Sequence, residues 1–260
     1  MNAREALATT ERRLVAAGIE TPRVDAELLV AHVLGTTRSG IYADLDRDVG
    51  DSFEALVARR ELREPLAYVL GEWGFRRLTL KTDARALVPR PETEIVVERA
   101  LALLEGTPSP RVLDIGVGSG AIALALKDER PDAEIVGVDV SHDALALAGE
   151  NAKLLGLEVD LHEGGLDSAA DGWDLVVSNP PYVDTLAGLQ PELHHEPEQA
   201  LVGAGFHERI ARVASTRFLV LEVGDGQADA VAGVLAGAGY HAVTITPDLA
   251  GVSRVVDGSR

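Results

Sequence analysis

The stretch Val112-Leu113-Asp114-Ile115-Gly116-Val117-Gly118-Ser119-Gly120 reads as a short apolar strand that runs into three glycines and then into a helix. Glycines at alternate positions permit positive φ and close approach of the backbone to a ligand at the carboxyl end of a first strand. A dinucleotide loop spaces its glycines as G-x-G-x-x-G and aims a helix N-terminus at a pyrophosphate. Here the spacing is G-x-G-x-G, and an acid, Asp114, precedes it. Taken alone, the cluster also fits an ordinary tight turn between strand and helix.

The flanking sequence decides the architecture. Apolar runs recur at 111–115, 134–138, 158–161, 173–178, 218–222, 241–245 and 252–256, with helical stretches at 120–129, 142–155, 205–214 and 226–237. Alternation of this kind predicts a Rossmann-like α/β domain, its seven-stranded, mostly parallel sheet covered on both faces. No helix separates the last two runs, so the final strand is expected to insert antiparallel.

Residues 1–74 read differently, as a small helical bundle. Leu7 and Leu14 lie seven apart before Gly18, and Thr21-Pro22 opens a helix that Gly35 would close. Asp51-Ser52 precedes Phe53, Leu56 and Val57, and Pro65 starts a short piece ending near Gly71. Residues 75–91 hold an alternating hairpin (Phe75, Leu78, Leu80) and a linker stiffened by Pro89 and Pro91. The catalytic domain is then expected over 92–260, beginning with a helix from Glu92 to Leu104.

Composition narrows the function. The chain has 260 residues, no cysteine, and a net charge of −18 from 24 basic and 42 acidic residues. Without cysteine there are no disulfides, thiolate metal sites or cysteine nucleophiles. Such an acidic surface disfavours nonspecific binding of nucleic acid. The charged N-terminus is no secretory signal, and no apolar run reaches the ~18 residues of a membrane span. The expected setting is cytoplasmic, away from membranes.

Two further features give the glycine loop a ligand. Asp139 ends the second strand, nineteen residues after Gly120, where a carboxylate can accept from both hydroxyls of a ribose. Ser141 can cap the helix that follows, which frees Asp139 for that role. A cofactor with a ribose but no phosphate, carrying a cationic ammonium and sulfonium, suits an acid-flanked loop; S-adenosylmethionine has those properties. Its expected contacts are Asp114, Gly116, Val117, Gly118, Ser119, Gly120 and Asp139. Leu166, after Gly164-Gly165, is placed against the adenine.

Asn179-Pro180-Pro181-Tyr182 follows the fourth strand, where ligands of open α/β sheets bind. The prolines fix φ, remove two N–H donors and leave carbonyls free to accept. A carboxamide or aromatic amino nitrogen is a poor nucleophile because its lone pair is delocalised. If its N–H groups donate to the Asn179 side-chain oxygen and the Pro180 carbonyl, the nitrogen is held towards the sulfonium methyl, and transfer becomes a matter of positioning. Tyr182 is expected to stack on the planar group. Asn179, Pro180 and Tyr182 are thus the catalytic candidates, Pro181 completes the acceptor site, and Asn179 also borders the cofactor.

Read together, LVPRPETE (87–94), VLDIGVGSGAIALAL (112–126), GVDVSHDALALAGENA (137–152), VVSNPPYV (176–183) and DLAGVSRVV (248–256) make the chain similar to the bacterial release-factor glutamine methyltransferase family (HemK/PrmC type). The similarity covers essentially the whole chain, including PLAYVLGEWGF before the linker. It implies N5-methylation of the glutamine amide in the Gly-Gly-Gln loop of class-1 peptide-chain release factors. It also implies S-adenosylhomocysteine as product, docking of the release factor on the helical bundle, and Leu87 on the wall of the glutamine pocket. Two departures are visible: Gly165 stands where the family commonly has Asp, and the segment VGAGFHERI after Leu201 is short. Glutamine methylation of a ribosomal protein, or adenine-N6 methylation of nucleic acid, would use the same planar donor.

Other residues receive plainer readings. His194, His195, Glu196 and Glu198 lack the spacing of a metal site, so no metal is expected. Trp73 and Trp173 read as packing residues; Glu222 through Asp225 ends the fifth strand, where it could approach the site, with a loop role preferred. Arg59, Arg60 and Arg63 read as either a solvated helix face or part of a partner surface.

Overall fold

The computed structural model describes residues 1–260 as two compact units: Met1–Glu72 with Gln190–His195, and Trp73–Leu189 with Glu196–Arg260. The second unit therefore sends one loop, Gln190–His195, into the helical unit. No helix is long and apolar enough to cross a membrane.

The helical unit contains α1 (Ala3–Ala16), α2 (Pro22–Leu34), α3 (Phe53–Glu61) and α4 (Leu66–Leu70). The Asn2 side chain caps α1 by accepting the Glu5 N–H at 2.9 Å. Pro22 occupies the first turn of α2, where a missing N–H costs nothing, and Gly35 closes that helix at φ +59°. The Thr21 hydroxyl donates to Asp25 at 2.8 Å instead of accepting a backbone N–H. Leu7, Leu14, Leu29, Phe53 and Val57 form the core of this unit. The reading of a solvated helix face does not hold for Arg60. Arg60 is 6% exposed and donates to Asp25 at 2.7 Å and to Glu192 at 3.0 Å. Arg63 holds the other Glu192 oxygen at 2.6 Å, and Arg59 pairs with Glu64. Breaking such a buried pair by removing one partner costs about 3–5 kcal/mol, because the other charge is stranded.

In the second unit, the strands β1 (Glu72–Phe75) and β2 (Leu78–Lys81) form the hairpin, and α5 (Thr93–Leu103) follows the proline-rich linker. The chain then alternates through β3 (Arg111–Ile115), α6 (Ala121–Glu129), β4 (Glu134–Asp139), α7 (His142–Leu155), β5 (Asp160–Glu163) and β6 (Trp173–Ser178). After the short α8 (Glu198–Leu201) come α9 (Phe206–Val213), β7 (Thr216–Glu222), α10 (Ala228–Gly237), β8 (His241–Pro247) and β9 (Ser253–Ser259). The sheet order is β5-β4-β3-β6-β7-β9-β8. Pairs from β5 to β7 are parallel, and β9 lies antiparallel between β7 and β8, as the missing helix before it requires.

Period-two alternation builds the two faces. Val112, Leu175, Val177, Phe218 and Val220 pack on one side with residues of α5, α6 and α7. Leu113, Ile115, Val176, Leu219 and Leu221 pack on the other with residues of α9 and α10. Each fully buried aliphatic side chain here contributes roughly 1.5–3 kcal/mol. The third strand begins two residues later than the sequence suggests. Leu157 and Val159 are apolar because they pack against the core from the loop, not because they pair.

Gly120 illustrates how tightly the first loop is packed. Its φ is +87°, and a Cβ there would lie 2.8 Å from Leu124 Cδ1. Gly120→Ala should therefore lower stability by about 1–3 kcal/mol through strain and overpacking. Urea unfolding with an unchanged midpoint would show that the turn tolerates a side chain.

Candidate active site

Strand order reverses at β3 and β6: the chain builds outward to β4 and β5, then returns to place β6 on the other side of β3. Loops from the two strands leave in opposite directions, which opens a crevice at their carboxyl ends. A cavity of about 360 Å³ sits there, within the range of small-molecule sites.

The glycine loop forms one wall. Gly116 N–H and Val117 N–H both donate to the Val138 carbonyl, at 2.8 and 3.0 Å, which folds the loop back onto the end of β4. Gly116 and Gly118 have φ of +74° and +55°. A Cβ at Gly116 would meet no protein atom within 4 Å, so backbone conformation, not crowding, calls for glycine there. Val117 and Ser119 line the cavity with them. The fully buried Asn151 holds the loop from behind. Its amide donates to the Ser119 carbonyl at 2.9 Å and brackets Lys81 of the hairpin.

Asp139 also lines the cavity. One of its oxygens accepts from Gly118 N–H at 3.0 Å and the other from Ser141 N–H at 2.9 Å. Ser141 itself caps α7, accepting from Ala144 at 3.2 Å. A carboxylate oxygen carries two lone pairs, so each retains an acceptor direction. Leu166 reaches the same cavity while packing on the core below.

Asp114 and Gly120 stand outside the cavity lining. Asp114 is 1% exposed; one oxygen accepts from Ala123 N–H at 3.1 Å and the other has no partner. Burial pushes its carboxyl up to about 7, and the Asp139 charge adds to the rise. The residues present fit S-adenosylmethionine. Asp139 offers a diol acceptor, the glycines permit close approach, and an uncompensated buried carboxylate favours a nearby cation.

The opposite wall comes from β6 and the linker. Ser178 donates its hydroxyl to the Ile115 carbonyl at 2.7 Å, locking the ends of β6 and β3 together. Asn179, Pro180, Pro181 and Leu87 line the cavity. The linker carrying Leu87 is fixed by the buried Glu196, which accepts from Val88 N–H at 2.9 Å and from the Arg90 guanidinium. On the far side, Phe206 also reaches the cavity; a Cβ at Gly203 would collide with both Phe206 and Pro181. The short segment after Leu201 is thus wedged beside the tetrapeptide.

Tyr182, the last residue of the tetrapeptide, is not on the cavity wall. Its ring sits against Gly224, its hydroxyl is 3.4 Å from Glu222, and Gln227 donates to its carbonyl at 3.0 Å. Burial, with the Glu222 charge, raises its phenol to about 12.

Glu222 ends its strand and approaches the site, which the sequence allows but ranks below a loop role. It is the last residue of β7 and 2% exposed. Thr93 donates to it at 2.7 Å, and the Asn179 amide nitrogen is 3.2 Å from the same Thr93 oxygen. Burial raises the Glu222 carboxyl to about 7. The available sequence signal was an acid ending an apolar strand; Thr93, inside the linker motif, gave none. No group of three or more His, Asp or Glu side chains is arranged to hold a metal ion. His195 meets the Leu62 carbonyl at 3.3 Å in the helical unit, and Trp173 packs in the core with its indole N–H on Ser168 at 2.8 Å.

A doubly covered seven-stranded sheet with an antiparallel β9, and a glycine-lined cavity at its switch point, define an S-adenosylmethionine-dependent methyltransferase. Residues 5–71 match the PrmC N-terminal domain, and residues 94–206 match the methyltransferase small domain. The chain is 41% identical over its whole length to the release factor glutamine methyltransferase of Deinococcus radiodurans, spanning 99% of that protein. It is 39% identical to that of Escherichia coli, covering 92% of each chain. It belongs to the release factor glutamine methyltransferase family. Among solved structures, the hMettl16 catalytic domain with a MAT2A 3'UTR hairpin shares the fold at 16% identity, with a TM-score of 0.59 over 78% of this chain and 80% of that one.

Asp114 yields a pH prediction. Its ordinary value is 3.8, so as pH rises from about 4 to 7 the unfolded chain loses the proton while the folded chain keeps it. Stability falls across that window, and the cost of the buried charge is complete above about 7. Asp114→Asn should raise the melting temperature by a few degrees at pH 8 and less at pH 5. Equal shifts at both pH values in thermal unfolding would contradict this assignment.

Proposed function

We propose that this chain transfers a methyl group from S-adenosylmethionine to the side-chain amide nitrogen of the Gly-Gly-Gln glutamine in class-1 release factors, giving N5-methylglutamine. The observation that carries this reading is that Asn179 and Pro180 share one cavity with Asp139 and the glycine loop. A planar NH₂ group and a ribose-bearing cofactor can therefore be held in the same space. When bound, S-adenosylmethionine supplies an electrophilic methyl on a sulfonium.

The protein's own residues provide the positioning. Asp139 accepts from the ribose diol, and Leu166 lies against the adenine. The Asn179 oxygen and the Pro180 carbonyl each accept one acceptor N–H, which fixes the plane of the amide and presents its nitrogen. Leu87, Pro181 and Phe206 give the pocket apolar walls, and Tyr182, held by Gln227, anchors the end of the tetrapeptide. Restricting the acceptor's rotation contributes more than a strong base would, because the proton becomes acidic as the new bond forms. The family relationship supports the release factor as acceptor and the helical unit as its docking surface.

Incubation with S-adenosylmethionine and a purified release factor should add about 14 Da, one CH₂, to the loop glutamine, and Asn179→Ala should abolish that gain. An unmodified release factor alongside methylated ribosomal protein or DNA would overturn the reading. Asp139→Ala should weaken cofactor binding about tenfold or more while sparing acceptor binding; calorimetry with unchanged cofactor affinity would remove its ribose role.

A further inference from the structure

The contacts behind Asn179 have a direction. A threonine hydroxyl carries one proton, and an ionised carboxylate can only accept. Thr93 Oγ1 lies 2.7 Å from Glu222 Oε2 and 3.2 Å from Asn179 Nδ2. With Glu222 ionised, the Thr93 proton is committed to the carboxylate, and the Thr93 oxygen has only a lone pair left for Asn179. The NH₂ of the Asn179 amide must then face Thr93. Its Oδ1, which meets no protein donor, is left to the cavity that Asn179 lines. Protonated Glu222 inverts the chain. It donates to Thr93, Thr93 donates to Asn179, and the amide turns its own NH₂ towards an acceptor that also brings only N–H groups.

We propose that Thr93 and Glu222 are positioning residues that set the polarity of the Asn179 amide, so that methyl transfer requires Glu222 in its ionised form. The proposal rests on the reading that a planar NH₂ is the acceptor. Burial is what makes the switch accessible, lifting Glu222 from an ordinary 4.5 to about 7. Several groups face it. Thr93 of α5 and the Tyr182 hydroxyl favour the ionised form, as does the Arg254 guanidinium of β9, whereas Glu92 opposes it. His207 of α9 contacts only the Glu222 backbone carbonyl, at 2.8 Å, and burial keeps its ring below the ordinary value. The polarity is lost as pH falls through about 7, because the folded-state value is the raised one.

The test uses the full chain, S-adenosylmethionine and a release factor. Thr93→Val, which keeps the shape but removes the hydroxyl, should lower kcat by about 10- to 100-fold with unchanged cofactor affinity, and Thr93→Ser should restore most of it. The wild-type kcat should fall on the acid side of about pH 7, and Glu222→Gln should be slow but lack that limb. Independently of any acceptor, the ¹⁵N side-chain signal of Asn179, identified by its loss in Asn179→Asp, should titrate near neutral pH in the wild type and not in Glu222→Gln. Thr93→Val with wild-type kcat and pH profile, or an Asn179 signal that does not titrate in the wild type, would overturn the proposal. If the wild type leaves the release factor unmethylated, the functional reading falls, and the Asn179 titration alone decides the polarity.

Discussion

The reversal of strand order between β3 and β6 is the constraint on which the rest depends. Parallel strands put all their carboxyl ends on one edge, and only at a reversal do adjacent loops part without covering the space between them. The glycine loop, Asp139 and Asn179 belong to three different strands, yet the registers Ile115↔Val138 and Ile115↔Ser178 bring all three to that one edge. Twin cores pack on either side of the sheet that carries this edge. A cavity whose walls come from β3, β4 and β6 cannot shift one wall without disturbing strand pairing.

Three of the domain's buried acids lie near this edge. Asp114, Glu196 and Glu222 are all at most 5% exposed, and they are compensated to different degrees. Glu196 is fully engaged by Val88 and Arg90 and serves as a clamp for the linker. Asp114 has an unpartnered oxygen, and Glu222 is held by two hydroxyls with a distant guanidinium. The clamp is matched by a full charge and a backbone N–H, whereas burial lifts the carboxyls of the other two. Transfer to a delocalised nitrogen suits such a place, since it asks for oriented acceptors and not for a strong base.

What the sequence displayed follows from locality. The glycine spacing, the acid closing the second strand and the Asn-Pro-Pro-Tyr turn each act within a few residues of themselves, so their pattern survives in one dimension. The antiparallel β9 was legible because the absence of an intervening helix is equally local. The hydrogen bonds joining Thr93 to Glu222, Val88 to Glu196 and Arg60 to Glu192 span more than a hundred residues each. Nothing in a single strand's periodicity records such pairings. Arg60 shows the limit most clearly: beside Arg59 and Arg63 it looks like part of a basic surface, and only the fold reveals that two carboxylates have drawn it inside.

That pairing bears on how the molecule can be taken apart. Glu192 lies far along the chain, in the loop that returns from the catalytic domain to the helical one. The helical domain is therefore not a cassette that ends at residue 72. A fragment cut there would leave Arg60 with one of its two acids and Arg63 with none. Moving this module onto another enzyme would mean carrying over a second piece of sequence, Gln190–His195.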